Sequence, residues 1–296
     1  MSIFNRLQTR LIVAFILLAI IPLVSVSIII SQRSIDSLTE TAHDYLASRT
    51  AQVTTEIDTF IAQRTSTLHY VTHVSGISED DQSDLINGLL AFDTAFQEIS
   101  ILDASGMETE RISRTTLILP EDYRSRADQP EYRMFANMAT ASLVDNNRAI
   151  YYSDVYFDDA LLEPLMTIAM PVVDPGTGEL GKVLVADFRF RAIWELLGAL
   201  GNEYTETIYV LGESGEVVAH TDPSVVLRNT VLDVPTMTAG IMPSITGEDA
   251  LYAVDRITMG EHRFIIVAEQ PVSEALSLAQ DIQTIAFGVL VLSVGI

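Results

Sequence analysis

The first strong feature of the chain is an uncharged run of 20 residues, Leu11 to Ile30, reading LIVAFILLAIIPLVSVSIII. At about 1.5 Å per residue a helix of that length matches the roughly 30 Å hydrocarbon core of a bilayer. Pro22 is tolerable within such a helix as a kink. A cleaved signal peptide is the competing reading, but its apolar run would be shorter and would end at a small-residue cleavage site. Here Ser31-Gln32-Arg33 follows instead, so the run predicts a membrane-spanning helix. Arg6 and Arg10 precede it, which puts residues 1–10 in the cytoplasm and the residues after 30 outside. A second apolar run, Ile285 to Ile296, has twelve residues, too few to cross a membrane alone. It reads as the start of a second span entered from an exit helix over 271–296; a buried C-terminal helix or strand is the alternative. An output domain, after a HAMP-like helix pair, is then expected beyond Ile296.

Between the two runs the period changes twice. Ile35, Leu38, Ala42, Tyr45, Val53, Ile57, Phe60, Leu68 and Val71 mostly recur at three- and four-residue steps, weakening around Arg49, with no Gly or Pro from 31 to 75. That predicts a helical rod of roughly 68 Å. Such a rod is a stalk (31–77) that packs on its neighbours or forms a coiled-coil-like dimer seam. Gly76 ends it, and Ser78 with Asp81 resembles the cap of a shorter helix reaching Phe92. From Phe96 the period becomes two. Strands are predicted at 97–103, 107–112, 149–155, 166–173 and 181–188, with a short helix near 130–140 and a connecting helix at 190–200. Asp174-Pro175-Gly176-Thr177-Gly178 is a turn between two of the strands. The strand–turn–strand Ile101–Glu108 is echoed by Tyr209–Glu216, with Ser105-Gly106 repeated 109 residues later as Ser214-Gly215. Further strands at 216–220, 251–257 and 263–268 complete a second unit. The pattern is therefore α+β: tandem domains at 78–203 and 204–270 on a long stalk helix, flanked by transmembrane helices.

Charge removes several functions. The chain carries 17 Lys and Arg against 40 Asp and Glu, a net −23. The first 30 residues hold two arginines and no acid, so the remainder stands at −25. So acidic a surface argues against nucleic acid as a partner. With no cysteine there is no disulfide, thiolate metal site or cysteine nucleophile. No phosphate-binding glycine loop is present, and no cofactor is expected.

Several segments resemble the double Cache sensor domain of bacterial transmembrane receptors. Tyr152-Ser153-Asp154-Val155-Tyr156 is similar to its Y-S-D-x-Y segment, followed by Glu163-Pro164 and Thr167–Val172. Gly181-Lys182-Val183-Leu184-Val185-Ala186-Asp187 resembles its G-V-L-x-x-D strand, Val217–Pro223 its I-A-H-x-D-P stretch, and Glu269–Ala275 its exit helix. The resemblance implies two PAS-like (Cache) domains, a small-molecule ligand in the membrane-distal one, and a homodimer passing a signal inward. It also implies a sensory fragment that is not itself an enzyme, whose output is a histidine kinase or nucleotide cyclase, or alternatively a chemoreceptor. A membrane-anchored extracytoplasmic enzyme is the rival class.

Family members that bind α-amino acids use Arg-x-Trp-Tyr for the carboxylate and a Tyr and an Asp for the ammonium group. Here Gln129-Pro130-Glu131-Tyr132 stands at the first motif, so Gln129 replaces the Arg and Glu131 the Trp. Tyr156 and Asp187 stand at the ammonium positions. Two acids by one cavity favour a cation, and Tyr132 and Tyr156 could add cation–π contacts. The expected ligand is an amine or amino-acid-like cation, with Arg126, Ser153 and Asp154 as further candidate contacts. The bland alternatives are that Asp187 caps a helix and Glu131 faces solvent; Arg124, Arg126 or Arg133 turning inward could restore a carboxylate site. His69 and His73 share a helix face but lack a third metal ligand, and Glu79-Asp80-Asp81 with Asp84 lacks the spacing of a calcium loop. Both read as surface features, Ser153 and His220 as no triad, and Trp194 as packing at the domain junction.

Overall fold

The computed structural model describes residues 7–73, 79–138, 149–174, 176–201 and 206–277. Helix α1 (Leu7–His73) runs for 67 residues with Pro22 inside it, about 100 Å at helical rise. Among the described residues no helix is long and apolar enough to cross a membrane; most side chains of 11–30 lie outside the described set, as does the expected second span at 285–296. The stalk face is buried: Thr50, Val53, Ile57, Ile61, Thr65, Leu68 and Val71 are each at most 7% exposed. Their three- and four-residue steps make one stripe along α1.

The described chain divides into two compact units. One comprises Arg49–Thr238 with Val254–Ala268. It begins with the lower stalk and α2 (Glu79–Phe92). Its first sheet is antiparallel in the order β2-β1-β6-β5-β3, with β4 also on β5: β1 Phe96–Asp103, β2 Glu108–Ser113, β3 Tyr151–Tyr152, β4 Tyr156–Asp158, β5 Glu163–Val173 and β6 Leu180–Arg189. Helix α3 (Pro130–Ala136) packs on this sheet, its Tyr132 and Phe135 in a core with Leu102, Ala169, Val183 and Val185. After α4 (Arg191–Gly201) come β7 (Thr207–Leu211), β8 (Val217–His220) and α5 (Pro223–Leu227). Here β8 pairs β7, β7 pairs β11 (His262–Pro271), and β11 pairs β10 (Asp249–Met259). An aromatic chain joins β1, β6 and β11: Phe96–Phe188 6.2 Å, Phe188–Phe190 5.8 Å and Phe190–Phe264 5.6 Å between ring centroids. Trp194 donates its indole N–H to Val218 O at 2.8 Å, tying α4 to β8. The other unit is Met1–Ser48 with Ala239–Ala253 and Glu269–Ile296. It holds the upper part of α1, the hairpin of β9 (Ala239–Pro243) on β10, and α6 (Val272–Ala275).

The repeated Ser-Gly turn is the same structure twice. Gly106 and Gly215 have φ of +81° and +87°, a region open to glycine at no steric cost. Gly106 N donates to Asp103 O and Gly215 N to Gly212 O. Beyond each turn a returning segment docks alike: Arg126 N donates to Gly106 O at 2.7 Å, and Leu232 N to Gly215 O at 2.8 Å.

Three departures from the expected pattern have physical causes. The strand expected at 149–155 is two short ones, β3 and β4. Ser153 accepts the Thr167 N–H with its own side chain (2.9 Å) and so takes the ladder's place there. The weak stretch around Arg49 is a buried ion pair, Arg49 Nε–Glu206 Oε1 2.8 Å, with both side chains at most 6% exposed. Helix α5, not expected, carries a plain start signal: Asp222 caps it by accepting Ser224 N (2.9 Å), with Pro223 next.

Arg49→Ala would remove the guanidinium from the buried Glu206 carboxylate and is expected to destabilise the fold by up to about 3–5 kcal/mol. Replacing both partners, Arg49→Met with Glu206→Leu, should cost far less. Urea denaturation of the two variants checks this; equal losses would refute it.

Candidate functional site

The site grows from a conflict between neighbouring strands. In the β1–β6 ladder Glu98 stands opposite Asp187, and like charges so placed repel. Both are held by what surrounds them. Asp187 Oδ1 accepts from Thr167 Oγ1 at 3.0 Å, across the β5–β6 ladder. The Tyr156 hydroxyl on β4 also acts on this carboxyl and pulls its proton affinity down. Glu98 is gripped by Arg111 of β2, Nη2 to Oε2 at 3.2 Å and Nε to Oε1 at 2.5 Å.

Arg126 completes the arrangement. The backbone bond to Gly106 fixes its segment; a Cβ at Gly106 would lie 2.8 Å from Ala127 Cα. The Arg126 side chain is 11% exposed. Its Nε donates to Glu108 Oε1 at 2.9 Å, Nη1 lies 3.6 Å from Glu131 Oε1, and Nη2 lies 3.7 Å from Glu98 Oε1. Arg124 stands at the rim, 3.9 Å from Glu108 and 61% exposed. Four carboxylates, Glu98, Glu108, Glu131 and Asp187, thus share two sheltered guanidiniums, Arg111 and Arg126.

The titration shifts record that imbalance. Burial pushes the Asp187 carboxyl up; Arg126 pulls it down, Glu98 pushes it up, the Thr167 and Tyr156 hydrogen bonds pull it down, and the net is upward. Tyr156 is pushed well above the ordinary tyrosine range by burial and by the Asp187 charge, so its hydroxyl keeps its proton. Burial lowers the Arg111 guanidinium, but the Glu98 hydrogen bond and the charges of Glu98, Glu108 and Asp187 outweigh it, and the net is upward.

Of the eight residues singled out from sequence, Asp187, Tyr156, Arg126 and Glu131 come together. Glu131 is buried, 8% exposed. Tyr132 is in the core, its hydroxyl donating to Ala104 O at 2.7 Å. Gln129 is the exposed N-cap residue of α3, with no side-chain cap bond. Ser153 is tied to Thr167 as described, and Asp154 lies 3.1 Å from His262 Nδ1 with its side chain 94% exposed. Sequence reasoning missed Glu98, Glu108, Arg111 and Thr167. Glu98 did carry a signal: it is a charge inside β1 with buried positions on either side. A cleft of about 700 Å³ lies on the outer face of α3, lined by Pro130, Arg133, Met134 and Asn137 together with Tyr151, Tyr152, Asp154 and His262. Of the eight residues only Asp154 lines it, so this cleft is not the carboxylate site.

Because Asp187 binds its proton more tightly in the folded chain, its stabilisation is full below the unfolded value near about 3.9. That stabilisation is lost as pH rises through the folded value. Asp187→Asn is therefore expected to narrow the fall in urea midpoint between about pH 4 and about pH 7. Parallel falls in wild type and variant would count against the shift.

No match was found among curated protein sequences. The structure is similar to ligand-binding domains of Pseudomonas chemoreceptors. The amino-acid chemoreceptor PctB of Pseudomonas aeruginosa PAO1 in complex with L-Arg has TM-score 0.58 at 16% identity, covering 80% of this chain and 97% of that one. CtaA of Pseudomonas fluorescens in complex with L-leucine has TM-score 0.58 at 14% identity, covering 81% and 99%. PctC of Pseudomonas aeruginosa PAO1 in complex with GABA has TM-score 0.55 at 12% identity, covering 77% and 99%. At such identities the likeness is one of fold. The Cache domain family matches residues 29–279 directly, and with that span covering most of its length the chain belongs to the Cache domain family.

Proposed function

We propose that the chain is the extracytoplasmic sensory region of a bacterial transmembrane receptor, binding a small cationic ligand at the Asp187 site. The carrying observation is the excess of carboxylate over guanidinium around Asp187, to which the Thr167 hydroxyl donates. A ligand ammonium group supplies the missing positive charge and donates to Asp187 in a sheltered setting, where such bonds are strong. The ligands in the three chemoreceptor structures, L-Arg, L-leucine and GABA, all carry an amino group. The inward turn of Arg126 favours a second reading, an amino acid whose carboxylate meets that guanidinium. Its three carboxylate neighbours weigh against this, because they already engage it.

In this reading the two sheets belong to tandem PAS-like domains, 78–203 and 204–270. Residues 11–30 form the entering span and 271–296 lead to the second, and two copies pair along the stalk. The signal passes through the second span to an output that is a histidine kinase or a nucleotide cyclase, with a chemoreceptor as the alternative. The fragment itself binds and does not catalyse. The uncharged run 11–30 and the repeated Ser-Gly turn support the spans and the tandem domains. Ligand shifts such a receptor only through its differential affinity for two states.

Thermal-shift titration against 1,4-diaminobutane, GABA, L-arginine and L-leucine tests the ligand class. A stabilising amine is expected to lose about tenfold or more in affinity with Asp187→Ala. Unchanged amine binding in that variant would remove the assigned role, and binding of amino acids alone, abolished by Arg126→Gln, would favour the second reading.

A further inference from the structure

The turn between β10 and β11 rests on β3. Gly260, with φ +62°, faces the Tyr152 ring so closely that a Cβ there would lie 3.0 Å from Tyr152 Cδ2. Two residues on, His262 uses both ring nitrogens. Nε2 lies 3.0 Å from the Tyr152 carbonyl oxygen, and Nδ1 lies 3.1 Å from Asp154 Oδ1. A carbonyl and an ionised carboxylate only accept. Neutral imidazole has one N–H and one lone pair, so it satisfies one of these contacts and turns a lone pair on the other; imidazolium satisfies both.

We propose that His262 is a proton-dependent clasp between the β10–β11 turn and residues 152–154. It closes with both nitrogens protonated and loosens when one proton leaves. Histidine is the side chain whose charge ordinarily changes between about pH 5 and 8. The Tyr152 contact is the sheltered one, because the imidazole is 25% exposed while Asp154 is 94% exposed. The Asp154 contact is therefore the first to open as pH rises. Other charged groups face the same place. Glu261 sits beside His262 on the turn, and Asp128 and Arg133 reach the cleft from the start of α3. From α1, the charge of Asp58 acts on the Tyr152 hydroxyl, which burial already raises.

The clasp has reach because of where it grips. Residues 152–154 run directly into Tyr156, whose hydroxyl acts on the Asp187 carboxyl. Holding Tyr152 and Asp154 restrains the segment that carries Tyr156, so ligand response becomes weighted by pH. That consequence rests on the proposed ligand site; the clasp does not.

Hydrogen–deuterium exchange of residues 151–158, in the full 296-residue chain held in detergent without ligand, reads the clasp alone. After correction for intrinsic exchange, protection is expected to fall about threefold between about pH 5.5 and about pH 8, as for the loss of one modest hydrogen bond. His262→Gln should show no such fall, and Asp154→Asn a smaller one than wild type. A wild-type segment indifferent to pH, or a His262→Gln chain keeping the wild-type fall, would overturn the proposal. Should His262→Gln not fold, the exposed Asp154→Asn decides: a fall equal to wild type's overturns the clasp. With no ligand in the cell, failure of the clasp and failure of the ligand assignment are told apart.

Discussion

The repulsion between Glu98 and Asp187 is the constraint around which the first sheet is organised. Strand pairing places the two acids face to face, and the sheet cannot shift to relieve them. A one-residue slip would swap every side chain of β1 and β6 to the other face, and Ile99–Leu102 and Val183–Ala186 are buried at consecutive positions, so the packing on both faces would be lost. The apolar core therefore fixes the acids, and the acids must be answered by other groups. Arg111 does so from the next strand. Arg126 does so from a loop whose position depends on Gly106. The order of cause runs from core to register, from register to charge, and from charge to the loop.

The second sheet shows what the same scaffold does without that conflict. Its Gly215 turn accepts the returning segment through Leu232 N as Gly106 does through Arg126 N. There the returning residue is Leu232. One turn geometry thus presents a guanidinium in the first sheet and an aliphatic side chain in the second. The backbone supplies a place, and the side chain decides whether that place is chemistry or core. His220, buried and stacked on Tyr209 at 5.8 Å, is lowered by burial and accepts from Asp222 N at 2.7 Å. That is the behaviour of a neutral structural histidine at the start of α5.

Most strands and the long helix were legible because their apolar period is regular and their turns carry Gly, Pro and Asp. The break between β3 and β4 was not, because a serine side chain replacing a backbone acceptor leaves no periodic trace. Helix α5 is too short for a period to show, and β9, with Ile241 exposed and only partial burial elsewhere, has none. At the site, Tyr156 and Asp187 were legible through family resemblance. Their partners were not, because Glu98, Thr167 and Arg111 come from three other strands and meet only through register. Arg126 was one of three arginines in a short stretch. Nothing in the sequence distinguishes it from Arg124, which is largely exposed, or from Arg133, which lines the outer cleft; the Gly106 bond selects it.

An excess of carboxylate in a sheltered place can be balanced in two ways, by a proton on one acid or by a cation from solvent. The raised Asp187 carboxyl is the first. A cationic ligand is the second, and the two compete for the same charge. At the proposed site a proton and a ligand ammonium group would compete for Asp187, so protonation of that carboxyl would weaken ammonium binding. The His262 contact acts in the opposite sense on the segment bearing Tyr156, since it is complete only when the imidazole is protonated. The two effects meet at one hydroxyl. Alkaline conditions free Asp187 for a cation while loosening the segment that bears Tyr156. Acidic conditions hold that segment while neutralising the carboxyl. On the proposed ligand site and clasp together, pH would act on cation binding in two opposing senses, through the Asp187 carboxyl of the first sheet and through the β10–β11 turn.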